Sequence, residues 1–334
     1  MKLLVLSEHD VAELLTFPEC IEVMAEALTA TARGEVTNPL RSVMRPEGAS
    51  GFLGLMPAYR GGDKPAFGLK EICLFPGNPA RGLDTHLGGV LLHSGDTGEL
   101  LAVMNASAIT AIRTAAVSAL ATRLLAREDA KVHAIIGAGV QARSHLAAIA
   151  AVRDIAEVRI CSRTRAKAES VAAAAQPALS EAEGAADVRV VDSIEDAVRG
   201  ADIISTTTSS REPVVRRSWI APGTHINAVG SSIAAARELD SDTVAAAALF
   251  VDRRESTLNE SGDYLVAVRD GAIAGPEHIR AEIGEILAGR AEGRRSRDEI
   301  TLFKSLGIAI EDLAAAQFLY EKARRLGRGS VVDF

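Results

Sequence analysis

The residues of this chain that could do chemistry gather first around one short turn. Lys131-Val132-His133-Ala134-Ile135-Ile136 is an apolar run suited to a buried strand, and Gly137-Ala138-Gly139-Val140-Gln141-Ala142 follows at once. The second stretch reads G-x-G-x-x-A, and a helix-forming segment, Arg143 to Val152, continues from it. A dinucleotide-binding turn needs this order of strand, glycines and helix. Gly137 permits the tight turn, Gly139 lets the backbone approach a pyrophosphate, and Ala142 keeps helix and strand close. The N–H groups of the new helix, with Val140 and Gln141 in its first turn, then face the phosphates at the positive end of the helix dipole.

The second strand tells which dinucleotide to expect. An NAD site normally carries Asp or Glu about 20 residues past the glycines, to hold the ribose hydroxyls. Here that place reads Cys161-Ser162-Arg163-Thr164-Arg165, with no acid. Ser162 and Thr164 can donate hydrogen bonds, and Arg163 can pair with a 2′-phosphate, so the expected cofactor is NADP(H). The alternative is a solvated face formed by Arg163 and Arg165, which would leave an NAD ribose without its usual acceptor. Two further polar clusters sit at expected strand ends, Thr206-Thr207-Thr208-Ser209-Ser210 and Asn227-Ala228-Val229-Gly230-Ser231-Ser232. In an open parallel sheet ligands collect beyond such ends. Each cluster either lines a nicotinamide pocket or merely caps a loop.

Three cations interrupt apolar or small-residue runs: Arg45 after Val43-Met44, Lys70 after Gly68-Leu69, and Arg113 within Ala111-Ile112-Arg113-Thr114-Ala115. A cation in such a place needs a partner if buried. A substrate carboxylate, a structural ion pair and plain solvent all remain open from the pattern alone. The seven histidines show no metal-ligand spacing, and neither a Ser/His/Asp set nor a G-x-S-x-G elbow appears.

Positioning these residues takes two kinds of element. The chain has 334 residues, enough for about two domains, and its net charge of −7 argues against a nucleic-acid partner. No apolar run approaches the ~20 residues of a spanning helix, and the N-terminal apolar stretch is too short for a signal peptide. Cys20, Cys73 and Cys161 read as reduced core thiols of a cytoplasmic protein. Ser7 to Leu15 predicts a helix capped by Ser7, and Pro18 opens a second that stops near Gly34. Leu40–Met44, Phe52–Met56, Phe67–Leu74, Val90–His93 and Glu99–Met104 read as strands of a mostly antiparallel sheet. Ile109 to Arg127 is one long helix. From Val132 the rhythm is β-α-β-α, with strands at Val132–Ile136, Val158–Cys161, Val188–Val191, Asp202–Thr206, His225–Val229 and Leu249–Asp252, hence a parallel sheet covered on both faces. A surface loop is expected within Ala172–Ala186 and a helix over Glu277–Gly289. A last helix, Ile308 to Leu326, would return to pack on the first domain, and the tail beyond it is expected to be exposed.

Taken together these residues resemble the ornithine cyclodeaminase/mu-crystallin family. The markers are Met56-Pro57-Ala58-Tyr59, Gly68-Leu69-Lys70, Ile109-Thr110-Ala111-Ile112-Arg113-Thr114-Ala115-Ala116, the Gly137 to Ala142 turn, Ile226-Asn227-Ala228-Val229-Gly230, and Thr301 to Gly307 followed by Glu311-Asp312. The resemblance implies an α/β fold: a Rossmann-type doubly wound parallel sheet (113–306) inserted in a second α+β substrate and dimerisation domain (1–112 plus 307–334). It implies a homodimer, a carboxylate clamp at Arg45, Lys70 and Arg113, and a nicotinamide bordered by Thr206, Thr207, Val229 and Gly230. In ornithine cyclodeaminases an aspartate follows the V-G-x stretch to handle the substrate amine, and Ser232 stands in its place here. A serine is a poor general base and carries no charge to hold an ammonium. The likeness therefore points to ketimine reductases: NADPH-dependent reduction of Δ1-pyrroline-2-carboxylate or Δ1-piperideine-2-carboxylate. A cyclodeaminase-type lyase, an amino-acid dehydrogenase and a non-catalytic NADP(H)-dependent binding protein are the alternatives. The proton donor is left among Lys70, Ser232 through water, and an already protonated iminium. No membrane partner is expected.

Overall fold

A computed structural model describes residues 2–180 and 186–334, and the chain divides into two compact units, Met1–Arg113 with Ile308–Phe334, and Thr114–Gly307. The first opens with strand β1 (Lys2–Leu6) and helices α1 (Glu8–Leu14) and α2 (Phe17–Arg33). Ser7 and Asp10 cap α1 reciprocally: the Ser7 hydroxyl accepts the Asp10 N–H, and the Asp10 carboxylate accepts the Ser7 N–H. Gly34, at φ 77°, closes α2 in the left-handed region. Strands β2 (Val36–Thr37), β3 (Ser42–Met44), β4 (Phe52–Arg60), β5 (Ala66–Leu74), β6 (His86–Ser94) and β7 (Leu100–Asn105) follow, and then helix α3 (Ala106–Leu125). Although no uninterrupted apolar run predicted it, α3 is long and apolar enough to cross a membrane; most of it is buried within the fold.

The second unit alternates strand and helix: β8 (Val132–Ile136), α4 (Val140–Ala150), β9 (Glu157–Cys161), α5 (Arg165–Ser180), β10 (Asp187–Val190), α6 (Ile194–Val198), β11 (Ile203–Thr206), β12 (His225–Ala228), α7 (Ser241–Ala246), β13 (Ala248–Val251), α8 (Arg254–Glu260), α9 (Gly262–Arg269), β14 (Ile279–Glu282), α10 (Ile283–Leu287) and β15 (Thr301–Lys304). Helix α11 (Ala309–Leu326) and strand β16 (Ser330–Asp333) return the chain to the first unit.

The first unit's sheet runs β16-β1-β7-β6-β5-β4-β2, with β3 also on β4. Its pairs are antiparallel except β1 with β7. Helix α11 packs on β4, β5 and β6, and also meets α2. Gly68 makes that approach possible: a Cβ there would lie 2.9 Å from Leu313 Cδ1 and 3.0 Å from Leu313 Cβ. On the opposite face Met44, Leu53, Cys73 and Leu87 stand in register across β3 to β6, and Met44 and Leu87 are exposed.

The second unit's sheet runs β10-β9-β8-β11-β12-β15-β13-β14 and is parallel throughout. From β8 the chain proceeds to β9 and β10 on one side and resumes with β11 on the other, so the topological switch point lies between β8 and β11. Among the described residues five strands stand beyond those expected from the sequence: β1, β2, β14, β15 and β16. The helix expected over Glu277–Gly289 is instead strand β14 followed by α10. Ile279 and Ala281 are buried while Arg280 and Glu282 between and after them are half-buried, which is a strand's rhythm. The exposed tail does form an edge strand, β16 on β1. Helix α5 extends to Ser180 through the stretch expected to hold a loop, whose remaining residues 181–185 lie outside those described.

Candidate active site

Gly137 ends β8 at φ 122°, a conformation open to glycine. A Cβ there would lie 2.6 Å from Thr207 Oγ1 and 2.8 Å from the Thr207 carbonyl oxygen. The turn and the loop after β11 are thus in direct contact at the switch point. Thr207 is tied to β8, donating its N–H (2.8 Å) and its hydroxyl (3.1 Å) to the Ile136 carbonyl. Gly139 is the N-cap of α4: no side chain caps the helix, and nothing lies within 4 Å of where a Cβ would stand. Ala142 is fully buried and Val140 exposed. Gln141 is half-buried. An uncapped helix start beside open space and a glycine no larger residue can replace suit a pyrophosphate.

At the end of β9 Ser162 is half-buried and its hydroxyl accepts the Thr164 N–H at 3.5 Å. Arg163 and Thr164 are exposed. Arg165 instead pairs with Glu169 and Asp192, so of the two arginines Arg163 alone is left without a carboxylate among the described residues.

The two polar strand ends are joined by a residue the sequence reading did not single out. Glu238 is fully buried. Its Oε1 accepts the Thr208 N–H (2.6 Å) and hydroxyl (2.7 Å), and its Oε2 accepts the Thr206 hydroxyl (2.8 Å) and the Gly230 N–H (2.7 Å). Val229, also buried, donates its N–H to the Thr206 carbonyl at 3.0 Å. Ser232 is half-buried in the same loop.

In the first unit two of the three cations expected to form a clamp meet. Lys70 and Arg113 come together, both buried, on the two acids that open α11. Lys70 Nζ lies 2.7 Å from Asp312 Oδ2; Arg113 Nε lies 2.9 Å from Asp312 Oδ1, and its terminal nitrogen 2.6 Å from Glu311 Oε2. Burial lowers the Lys70 pKa to about 8 against the pull of Asp312, with the like charge of Arg113 adding to the fall. The Asp312 carboxyl is held below its ordinary value: burial opposes this, and the charges of Arg113 and Lys70 outweigh it. Arg45 is not brought to this group. It is exposed on the strand edge with its guanidinium over the Phe52 ring, 4.6 Å from the centroid. The further cation close enough to depress Lys70 is the half-buried Arg41, four residues earlier. The signal for the acids was present: Glu311-Asp312 interrupts the run Ile308 to Ala316 as Arg113 interrupts its own. For Arg41, which follows Pro39-Leu40, nothing in the local pattern separated it from Arg45.

Comparison with known proteins adds to this geometry. A family model described as the ornithine cyclodeaminase/mu-crystallin family matches residues 1–326. Ketimine reductase mu-crystallin of Mus musculus is 42% identical over 288 residues, 86% of each chain. The structure of Thermococcus litoralis Δ1-pyrroline-2-carboxylate reductase in complex with NADH and L-proline superposes with a TM-score of 0.94 at 41% identity, covering 98% of this chain and 100% of the other. An archaeal alanine dehydrogenase dimer with bound NAD gives a TM-score of 0.92 at 36% identity, with full coverage of both chains.

Proposed function

The chain belongs to the ornithine cyclodeaminase/mu-crystallin family, and from that premise we propose that it reduces a small cyclic α-imino acid, Δ1-pyrroline-2-carboxylate or Δ1-piperideine-2-carboxylate, to the cyclic amino acid. It is an oxidoreductase that uses a nicotinamide dinucleotide on a C=N bond. A bound dinucleotide supplies hydride to the C=N carbon, and the nitrogen takes a proton. The observation that carries this reading is Lys70: a buried ammonium beside the Arg113 guanidinium, with one of its three N–H bonds given to Asp312 and a pKa near 8. Such a group both attracts a carboxylate and can release a proton near neutral pH. Arg113, with Arg41 or Arg45, would hold the carboxylate. Gly137, Gly139, Val140 and Gln141 would seat the pyrophosphate, and Thr206, Thr207, Val229 and Gly230 would border the nicotinamide.

NADPH is the finer reading of the cofactor. The absence of an acid after β9, with no carboxylate on Arg163 among the described residues and Ser162 and Thr164 beside it, supports a 2′-phosphate there. The related Thermococcus litoralis enzyme was solved with NADH, so the preference needs measurement. A homodimer is supported by the apolar line Met44, Leu53, Cys73, Leu87, exposed at its two ends and half-buried between them, and by the dimeric archaeal relative. A second reading, an amino-acid dehydrogenase working on a keto acid plus ammonia, is favoured by the likeness to that same relative. Ser232 in the place of an aspartate weighs against a cyclodeaminase.

The test is oxidation of NADPH and of NADH, followed by nicotinamide absorbance, against cyclic imines, keto acids with ammonia, and ornithine. Stoichiometric NADPH consumption with the cyclic imines is expected, and Arg163→Ala should cut the preference for NADPH over NADH roughly tenfold. Ammonia release from ornithine without net cofactor consumption would instead establish the lyase.

A further inference from the structure

We propose that Glu238 is the positioning residue for the nicotinamide half of the dinucleotide: its carboxylate clips the loop after β11 to the loop after β12 and so sets the seat those two loops form. This rests on the functional reading above.

The geometry is specific about what is clipped. Glu238 grips Thr206 and Thr208 on either side of Thr207, and Thr207 is the residue lying against Gly137 of the glycine turn. Its other contact, the Gly230 N–H, belongs to the second loop. The two loops meet backbone to backbone at that point: a Cβ on Gly230 would lie 2.0 Å from the Thr208 carbonyl oxygen and 2.4 Å from its nitrogen. One side chain therefore fixes three things together, the flanks of Thr207, the approach of the loops, and the direction of the Gly230 amide.

A second tier holds Glu238 itself. Asp263 Oδ1 accepts the backbone N–H groups of Glu238 (2.8 Å) and Leu239 (2.9 Å), and its Oδ2 lies 2.9 Å from Lys304 Nζ. Lys304 also donates to the Ser231 carbonyl at 2.6 Å, so the loop after β12 is held from both tiers. Glu238, Asp263 and Lys304 are all buried, two carboxylates to one ammonium. Burial pushes the Glu238 carboxyl above its ordinary value, with Asp263 adding to the shift and Lys304 and the Thr208 donors opposing it. Burying a carboxylate for simple cohesion is unfavourable beside an apolar contact of the same size. Its distinguishing property here is four acceptor positions in one plane, which is what orienting two backbone amides and two hydroxyls requires.

Glu238→Gln tests the idea. The amide turns an N–H2 toward a backbone N–H, of Thr208 or of Gly230, so one loop must shift. The readout is binding of whichever dinucleotide the wild type prefers, beside binding of its adenosine-half fragment: adenosine 2′,5′-bisphosphate for NADPH, ADP-ribose for NADH. The expected result is a Kd for the dinucleotide weakened roughly tenfold while fragment affinity stays at the wild-type value. Equal weakening of both ligands would mean a general structural role and would overturn the proposal, as would unchanged dinucleotide binding. Should Glu238→Gln fail to fold, Thr206→Val decides: it removes one donor hydroxyl at constant shape, and a selective loss on the dinucleotide supports the clip while an unchanged Kd refutes it. A wild-type protein that binds neither NADPH nor NADH would bring down the functional reading itself, before any variant is made.

Discussion

Lys70 and Arg113 show how a residue's meaning depends on what faces it. Each interrupts an apolar run, and each turns out to be both buried and ion-paired, so the open choice between structural pair and anion site does not divide them. The pairing also decides which variant is informative. Removing Arg113 would take a buried cation from both Glu311 and Asp312, and breaking a buried ion pair typically costs about 3–5 kcal/mol, so lost activity would be confounded with lost folding. Lys70→Met leaves Asp312 its bond from Arg113. We expect that variant to lose at least about a hundredfold in turnover with an unchanged dinucleotide Kd. In the wild type Lys70 is protonated below about 8 and neutral above it, so kcat/KM for the imine should fall as pH rises through about 8. A rate independent of pH from 7 to ~9.5 would remove Lys70 as proton donor.

At the scale of elements, the pair depends on how closely α11 lies on β5. Gly68 and Lys70 lie on the same face of β5, and the helix that meets Gly68 through Leu313 carries Glu311 and Asp312 two residues and one residue earlier, respectively. The marker Gly68-Leu69-Lys70 is therefore a contact and a charge two residues apart, as the period of a strand demands. Gly68→Ala would press a methyl against Leu313 and lift the start of α11. We expect a loss of about 1–3 kcal/mol in stability together with a raised KM for the imine, since the acids that orient Lys70 move with the helix. Unaltered thermal stability and KM would show that α11 tolerates the displacement. Strand β15 makes the complementary point. Thr301–Lys304 was legible only as a family marker, because four wholly buried residues give no alternation from which to infer a strand.

Over the whole molecule, the second unit buries three neutral histidines in hydroxyl and amide company. His133 meets Ser205, His145 meets Ser118 and the Gln141 carbonyl, and His225 joins Thr301 to Asn227, which continues to Thr122. Burial drives their pKa values to about 3, about 4 and about 3, respectively. Because these lie below the ordinary value near 6.5, the unfolded chain binds protons that the folded one refuses. The contribution is fully present above pH ~6.5 and drains away as pH falls toward the folded values, by up to about 1.4 kcal/mol per pH unit for each histidine. Urea midpoints should therefore drop steeply between pH ~6.5 and ~4.5; a flat profile would contradict the neutral, buried state.

What the sequence determined by itself follows from local rules. Strand, glycine turn and helix are neighbours along the chain, so the dinucleotide turn, the β-α alternation and the capped helices at Ser7 and Gly34 were readable from spacing alone. So was the missing acid at Ser162-Arg163-Thr164. Only tertiary structure decided which charges meet. Lys70, Arg113, Glu311 and Asp312 lie on three elements far apart in sequence, and no periodicity relates one to another. Distance in sequence also hid Glu238, which shares the connection after β12 with Gly230 but meets Thr206 and Thr208 32 and 30 residues earlier, and Arg41 and Arg45 stand at opposite ends of β3 with only Arg45 over the Phe52 ring. Buried charge is set by partners, and partners are chosen by the packing of elements rather than by the order of residues.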